Sequence, residues 1–383
     1  MRKKLLAIAA VGLMASATMT ACDDSGDSGD ASSGGGTTSG GNGKARVGVI
    51  LPDTKSSNRW RDEDPKYLKA AFDAAKVPVE IVNAEGDRAK FVQTGERMVN
   101  DGVKVLIIAN LDSESGKTVL DKAREKKIPT IDYDRLTLNG NANYYVSFNN
   151  VEVGELQGYG LTKCLAAKNV KNPLIAQLNG SPSDNNATLF KDGYESVLNE
   201  KYNSAEYTNG PAQWVPDWDN DEAGKIFEQM LRQTPQISGV LAANDGIGNA
   251  VIKVLRKYKR SGTVPVTGQD ATLEGLQNIL TGEQCMTVYK AVKNEATNAA
   301  RVAIDLFKGV DPKVTETIKD PESAGYVPYI PLKPQAITIT NLNVVLEDDY
   351  IDQAELCKGK YLALCQQHKI GEFADDESEN GTN

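Results

Sequence analysis

Six short apolar runs in this chain stop abruptly at clusters of hydrogen-bonding residues, and longer amphipathic stretches separate most of them. The runs are VGVILPDTKSSNRW (47–60), VLIIAN (105–110), IPTIDYDR (128–135), LIAQLNGSPSDNN (174–186), GVLAANDG (239–246) and VPVTGQD (264–270). Such alternation is the pattern of βαβ units, which build a parallel sheet with helices on its faces. In open α/β sheets the ligand sits outside the carboxyl ends of the strands. The polar groups gathered there are Arg59, Asp134, Arg135, Asp184, Asn186, Asn244 and Asp270, with Trp60 beside the first. Planar donor and acceptor forks next to a flat apolar ring suit a small, uncharged, hydroxyl-rich molecule better than an anion.

Strands are expected at 46–51, 77–83, 103–109, 128–132, 144–148, 173–178, 238–243, 264–268, 285–289 and 336–340. Helical stretches include 66–75, 91–101, 121–127 and the segment VGELQGYGLTKCL, while Gly102, Pro129, Pro173, Gly239 and Pro265 punctuate the returns to strand. One α/β series ends near Phe148 and a second starts near Val151. The wide spacing of strand signals between 285 and 343 argues against a closed barrel and for two doubly wound lobes joined by several crossovers.

The first 21 residues read as a leader: Arg2, Lys3 and Lys4 precede an apolar stretch, Leu5 to Ala17, too short to cross a bilayer. MTAC, ending at Cys22, is similar to the lipobox of bacterial lipoproteins, which would leave Cys22 as a lipidated N-terminus on the extracytoplasmic face of the cell membrane; an ordinary cut near Ala17 or Ala21 is the other reading. Residues 22–43 are nearly all Asp, Ser, Gly and Thr, a tether that cannot bury a core. Losing the leader's three positive charges takes the net charge from −9 to −12, which argues against a nucleic-acid partner. The remaining cysteines, Cys164, Cys285, Cys357 and Cys365, allow three pairings. We favour Cys357 with Cys365, close in sequence, and Cys164 with Cys285. No zinc spacing occurs and the single histidine, His368, lies in the tail, so neither metal nor cofactor is expected.

Six segments together carry a family resemblance: YDRLTLNGNANYYVSFNNVEVGELQG (133–158), GSPSDNNATLF (180–190), QWVPDW (213–218), AANDG (242–246), TGQDATLEGLQNI (267–279) and MTVYK (286–290). From about Arg46 to Asn343 the chain resembles the sugar-binding proteins of ABC importers, within the ribose/galactose-binding class and notably its D-xylose-binding members. The resemblance implies a type I periplasmic binding protein: α/β, two Rossmann-like lobes, three hinge crossovers, and a monosaccharide held between the lobes. It implies lobes at 44–148 plus about 291–320 and at 149–290 plus about 321–348, with a tail from 349 to 383 that has no counterpart. Carried over by motif, the ligand-binding residues are Arg59, Trp60, Asp134, Arg135, Asp184, Asn186, Trp214, Asn244, Asp270 and, from a hinge, Lys290. The implied partners are a monosaccharide, D-xylose favoured, and an ABC permease with its cytoplasmic ATPase; the carrier itself is expected to be monomeric and held to the membrane by its lipid.

Physical chemistry supports that reading independently. A pyranose has a polar rim and two C–H faces, so it needs in-plane forks from Arg and Asp and aromatic cover from rings such as Trp60 and Trp214. Asp184 and Asn244 also stand where helix N-caps would. A glycoside hydrolase would need two carboxylates facing each other across one bond, whereas Asp134, Asp184 and Asp270 each adjoin a basic or amide residue suited to holding hydroxyls. Capture without chemistry is the expectation, for import of xylose or a glucose- or galactose-type aldose, or for presentation to a sensor.

Overall fold

The computed structural model describes residues 45–371. The leader, Cys22, the 22–43 tether and residues 372–383 of the tail lie outside the described residues. The chain first lays down β1 (Val47–Leu51), α1 (Glu63–Ala74), β2 (Val79–Asn83), α2 (Arg88–Asn100), β3 (Val105–Ile108), α3 (Ser113–Glu125), β4 (Thr130–Tyr133) and β5 (Tyr144–Phe148). It then crosses to α4 (Asn150–Ala167), β6 (Leu174–Asn179), α5 (Asn185–Asn203), β7 (Thr208–Trp214), α6 (Asn220–Gln233), β8 (Ile237–Ala242), α7 (Asp245–Lys257), α8 (Leu273–Leu280) and β9 (Thr287–Tyr289). It returns for α9 (Val292–Phe307), β10 (Glu316–Lys319) and β11 (Tyr326–Leu332), and ends with β12 (Gln335–Ile337), α10 (Asn343–Glu347), α11 (Gln353–Leu356) and α12 (Leu362–Gln367).

In the first lobe the sheet order is β10-β11-β5-β4-β3-β1-β2, parallel throughout except for β10 against β11. Side chains alternate across it, so Val47, Val49, Val105 and Ile107 bury one face against α1 and α9. Ile50, Leu106 and Ile108 bury the other against α2 and α3. Continuous apolar runs such as VLII are the consequence of a sheet covered on both sides. The second lobe is built on the parallel set β7-β6-β8, with β9 and β12 as a separate antiparallel pair. Residues 264–268, expected as a strand, contribute only an isolated bridge from Val266 to Val240. Close packing of α4 on α5 depends on Gly154 and Gly193, where a Cβ would run into the backbone carbonyls of Phe190 and Val151 respectively.

Two expected boundaries are corrected. Residues 316–332 belong to the first lobe, because Tyr329 through Leu332 pair with Tyr145 through Phe148; the third crossover is therefore at 333–334, not near 320–321. Prolines hid this strand. Because β11 pairs with β10 over 326–329 and with β5 over 329–332, Pro328 has no β5 partner and Pro331 has no β10 partner. Each proline thus sits where one side of the strand is free, the placement a missing N–H tolerates. Nor do residues 349–371 of the expected tail stand apart from the second lobe. Tyr350, Leu356, Cys357, Cys365 and Ile370 form a core with Leu276, Ile279 and Leu280 of α8. Cys164 bonds to Cys285 and Cys357 to Cys365.

Candidate functional site

Between the lobes lies a small cavity. It is walled on the first-lobe side by Arg59, Trp60, Asp134 and Arg135, on the other by Asp184, Asn186, Asn244 and Asp270, with Lys290 at the hinge. These nine sequence-derived candidates therefore converge. Trp214 does not. It lies half-buried at the end of β7 against the second-lobe core, and Trp218 lines the cavity in its place, together with Phe190. Asp217 and Trp218 both have positive φ, 52° and 57°, and this left-handed turn swings the second indole inward. Gly180 makes room for it, since a Cβ there would collide with the Trp218 ring. Ser56, Ser57 and Gln269 also line the cavity; residues this common in loops carry no distinguishing sequence signal.

Arg59 and Trp60 sit on a short 3-10 turn after β1. The Arg59 guanidinium donates to both oxygens of Asp64 (2.8 and 2.7 Å), to Asp134 (2.8 Å) and to Glu295 (2.6 Å). Burial disfavours its charge, but Asp64, Glu295 and Asp134 outweigh that and raise its pKa well above the usual value. Asp64 and Glu295, on α1 and α9, were not sequence candidates; nothing local distinguishes them from the many acidic residues on helices.

Asp134 is the junction. It follows β4 at φ 62°, and its carboxylate accepts from Arg59, from Lys290 Nζ (2.9 Å) and from Asn186 Nδ2 (3.1 Å). Burial alone would raise its pKa, but Lys290, Arg59 and Arg135 hold it well below the usual carboxylate range. Its backbone carbonyl accepts from Asn186, Ser147 and Tyr145, which pins the strained residue. Asp184 and Asn244 prove to be both caps and wall. Asp184 accepts from the Asn186 amide (2.9 Å) and from Trp218 Nε1 (3.1 Å). Asn244 caps α7 through Ile247 N (2.9 Å) and donates across the cleft to the Ser56 carbonyl (3.3 Å). Arg135 lies with its Nε 3.1 Å from Asp184 Oδ2, misaligned for a hydrogen bond, while its Nη1 donates to the Asn110 carbonyl (3.0 Å). Burial raises the Asp270 pKa, against the pull of Lys290 and Arg59.

Three cations and three carboxylates thus face one cavity, so its lining carries no net formal charge and suits a neutral guest. Each lobe brings aromatic cover, Trp60 from one and Phe190 with Trp218 from the other. At the rim Arg88 reaches Asp217 (2.7 Å) and Asn220 reaches the Lys55 carbonyl (3.3 Å), so the lobes are closed on each other.

Glu295 has a titration of its own. One oxygen holds Arg59, while Oε1 is buried with no partner. Burial pushes this carboxyl up to about 8, against Arg59 and with Asp134 adding to the rise. An acid protonated in the fold but ionised in the unfolded chain above roughly pH 4 contributes stability that is complete below that pH. The contribution is lost as pH climbs through about 8. Asp132 and Asp245, both raised by burial to about 7, act in the same direction. Glu295→Gln should therefore flatten the decline in melting temperature between pH 5 and 8.5 relative to the unaltered protein; parallel declines would refute this.

Residues 47–311 match the family model described as periplasmic binding protein domain. The D-xylose-binding periplasmic protein of Escherichia coli (strain K12) is 32% identical over 315 residues, covering 82% of this chain and 93% of that protein. The multiple sugar-binding periplasmic receptor ChvE of Rhizobium radiobacter is 32% identical over 330 residues, covering 82% and 93%. Among solved structures, an ABC transporter solute binding protein from Clostridium phytofermentans with bound β-D-glucose superposes with a TM-score of 0.74 at 26% identity, covering 81% of this chain and 99% of that one. Two crossover-linked α/β lobes, a polar cavity closed between them and these matches agree: the chain belongs to the periplasmic binding protein family, and it is a solute binder, not an enzyme.

Proposed function

We propose that the protein captures a monosaccharide, D-xylose first, in the cleft between its lobes and, once closed, delivers it to an ABC permease served by a cytoplasmic ATPase. Lipid at Cys22 and the 22–43 tether would keep it on the extracytoplasmic face of the membrane, near that permease; a diacylated cysteine is enough for stable anchoring. The single observation that carries the reading is the cavity wall itself, with balanced Arg and Asp forks for the hydroxyls of a neutral ring and aromatic cover from each lobe. Closure is the signal. A sugar touching both Asp134 and Asp270 favours the closed over the open state, and the permease need only distinguish the two.

D-xylose is favoured by the relative named for it, and glucose is the second reading, favoured by the related structure that holds β-D-glucose. Discrimination rests on how closely the wall surrounds the one ring carbon where glucose carries a hydroxymethyl group. Calorimetric titration with D-xylose, D-glucose, D-ribose and L-arabinose decides between them. One-site binding tightest for D-xylose is expected. Tightest binding of glucose would move the assignment to the second reading, and no heat from any of the four would remove sugar capture altogether.

A further inference from the structure

Among the described residues the chain beyond β12 contributes nothing to the cavity lining, yet it is bonded to one residue that does and to the neighbour of another. Tyr350 is buried, at 6% exposure, and its hydroxyl donates to the backbone carbonyl of Asp270 (3.0 Å). Its ring lies on that of Tyr289, centroids 5.0 Å apart. Tyr289 in turn donates to Asp348 (3.0 Å) and immediately precedes the hinge residue Lys290. Asp270 and Ala271 both have positive φ, 98° and 51°. A non-glycine residue keeps such a backbone only where its surroundings over-determine it. The other ties on the backbone of this turn come from the second lobe's own strand β9 and helix α7: Asp270 N to the Val288 carbonyl (2.9 Å), Ala271 N to Thr287 Oγ1 (3.2 Å) and Thr272 N to Asp245 (2.8 Å). The Asp270 carbonyl is held by Tyr350 instead. Behind Tyr350, Leu356 and the Cys357–Cys365 bridge close a core over α8, and the first-lobe residue Tyr67 packs against the same cluster.

We propose that Tyr350 is a positioning residue for the ligand site: from the C-terminal extension it fixes the Asp270–Ala271 turn, and through Tyr289 the approach to Lys290, so that both side chains meet the sugar in one arrangement. The extension is then part of the binding machinery and not only a brace for the second lobe. Its effect on affinity rests on the sugar-binding reading; its effect on the turn does not.

The test is Tyr350→Phe in the full chain, which removes one hydroxyl and keeps the ring. Amide hydrogen exchange of the sugar-free protein should rise at least fivefold across 266–272, with β1 to β5 unchanged. Calorimetry with D-xylose, well below the melting temperature, should show affinity at least fivefold weaker. Unchanged exchange in the turn overturns the proposal whatever the sugar does. Faster exchange with unchanged affinity also overturns it, since a brace alone behaves that way. Should the unaltered protein give no heat with any of the four sugars, the sugar-binding reading fails, and the exchange measurement still decides whether Tyr350 holds the turn.

Discussion

Replacing Asp134 with alanine is expected to weaken D-xylose binding at least a hundredfold, about 2.7 kcal/mol, and to destabilise the fold even without sugar. The carboxylate is where Arg59, Lys290 and Asn186 meet, all of them buried. Removing it takes away the carboxylate that pairs Lys290 and leaves Arg59 with Asp64 and Glu295, and losing one member of a buried pair destabilises by about 3–5 kcal/mol. Asp134→Asn separates charge from shape, because it keeps the size and one acceptor. The pH dependence has a definite sign. Since Lys290, Arg59 and Arg135 overcome burial and depress this pKa, the stability Asp134 contributes is present above the ordinary carboxylate value, roughly pH 4. It is lost as pH falls below that value toward the lower folded one. Acid unfolding followed by circular dichroism should therefore be steeper below pH 4 in the unaltered protein than in Asp134→Asn. A tenfold or smaller change in affinity for Asp134→Ala would remove this residue from the centre of the site.

The second large effect concerns Cys164 and Cys285. Their bond ties α4 to the segment just before β9 across a sequence separation of 121 residues. By the chain-entropy relation a bridge of this span stabilises by roughly 4–5 kcal/mol, about twice the figure for a loop as short as that between Cys357 and Cys365. The double replacement Cys164→Ser, Cys285→Ser should lower the melting temperature by roughly 6 °C. A drop smaller than about 2 °C would show that the unfolded chain gains little freedom when the bond is removed. Because neither cysteine lines the cavity, D-xylose affinity measured well below the transition should stay within about threefold.

Much of the site could be read in the order of residues, for a local reason. A strand that feeds a ligand crevice ends in polar side chains within a few positions, so Arg59, Asp134, Asp184, Asn244 and Asp270 stand out as interruptions of apolar runs. Two of them also cap the helices that follow: Oδ1 of each takes the helix N–H while Asp184 Oδ2 and Asn244 Nδ2 bond elsewhere at the cavity wall, because the helix begins there. The two tryptophans of QWVPDW are different. Four residues apart in sequence, they are equivalent by composition, and which one faces the cavity depends on the sign of φ at Asp217 and Trp218.

By itself, then, the sequence determined the α/β alternation, the two lobes and most of the cavity wall, because strand period, helix caps and the polar ends of strands are all set by near neighbours. Only the tertiary structure decided that β11 returns to the first sheet, that Glu295 shares Arg59 with Asp134, that Trp218 replaces Trp214, and that the C-terminal extension reaches the Asp270 turn. Arg59 and Glu295 are 236 positions apart, and Tyr350 and Asp270 are 80. Partners so distant are chosen by how the lobes pack and by where a left-handed turn points, and neither leaves a period in the sequence.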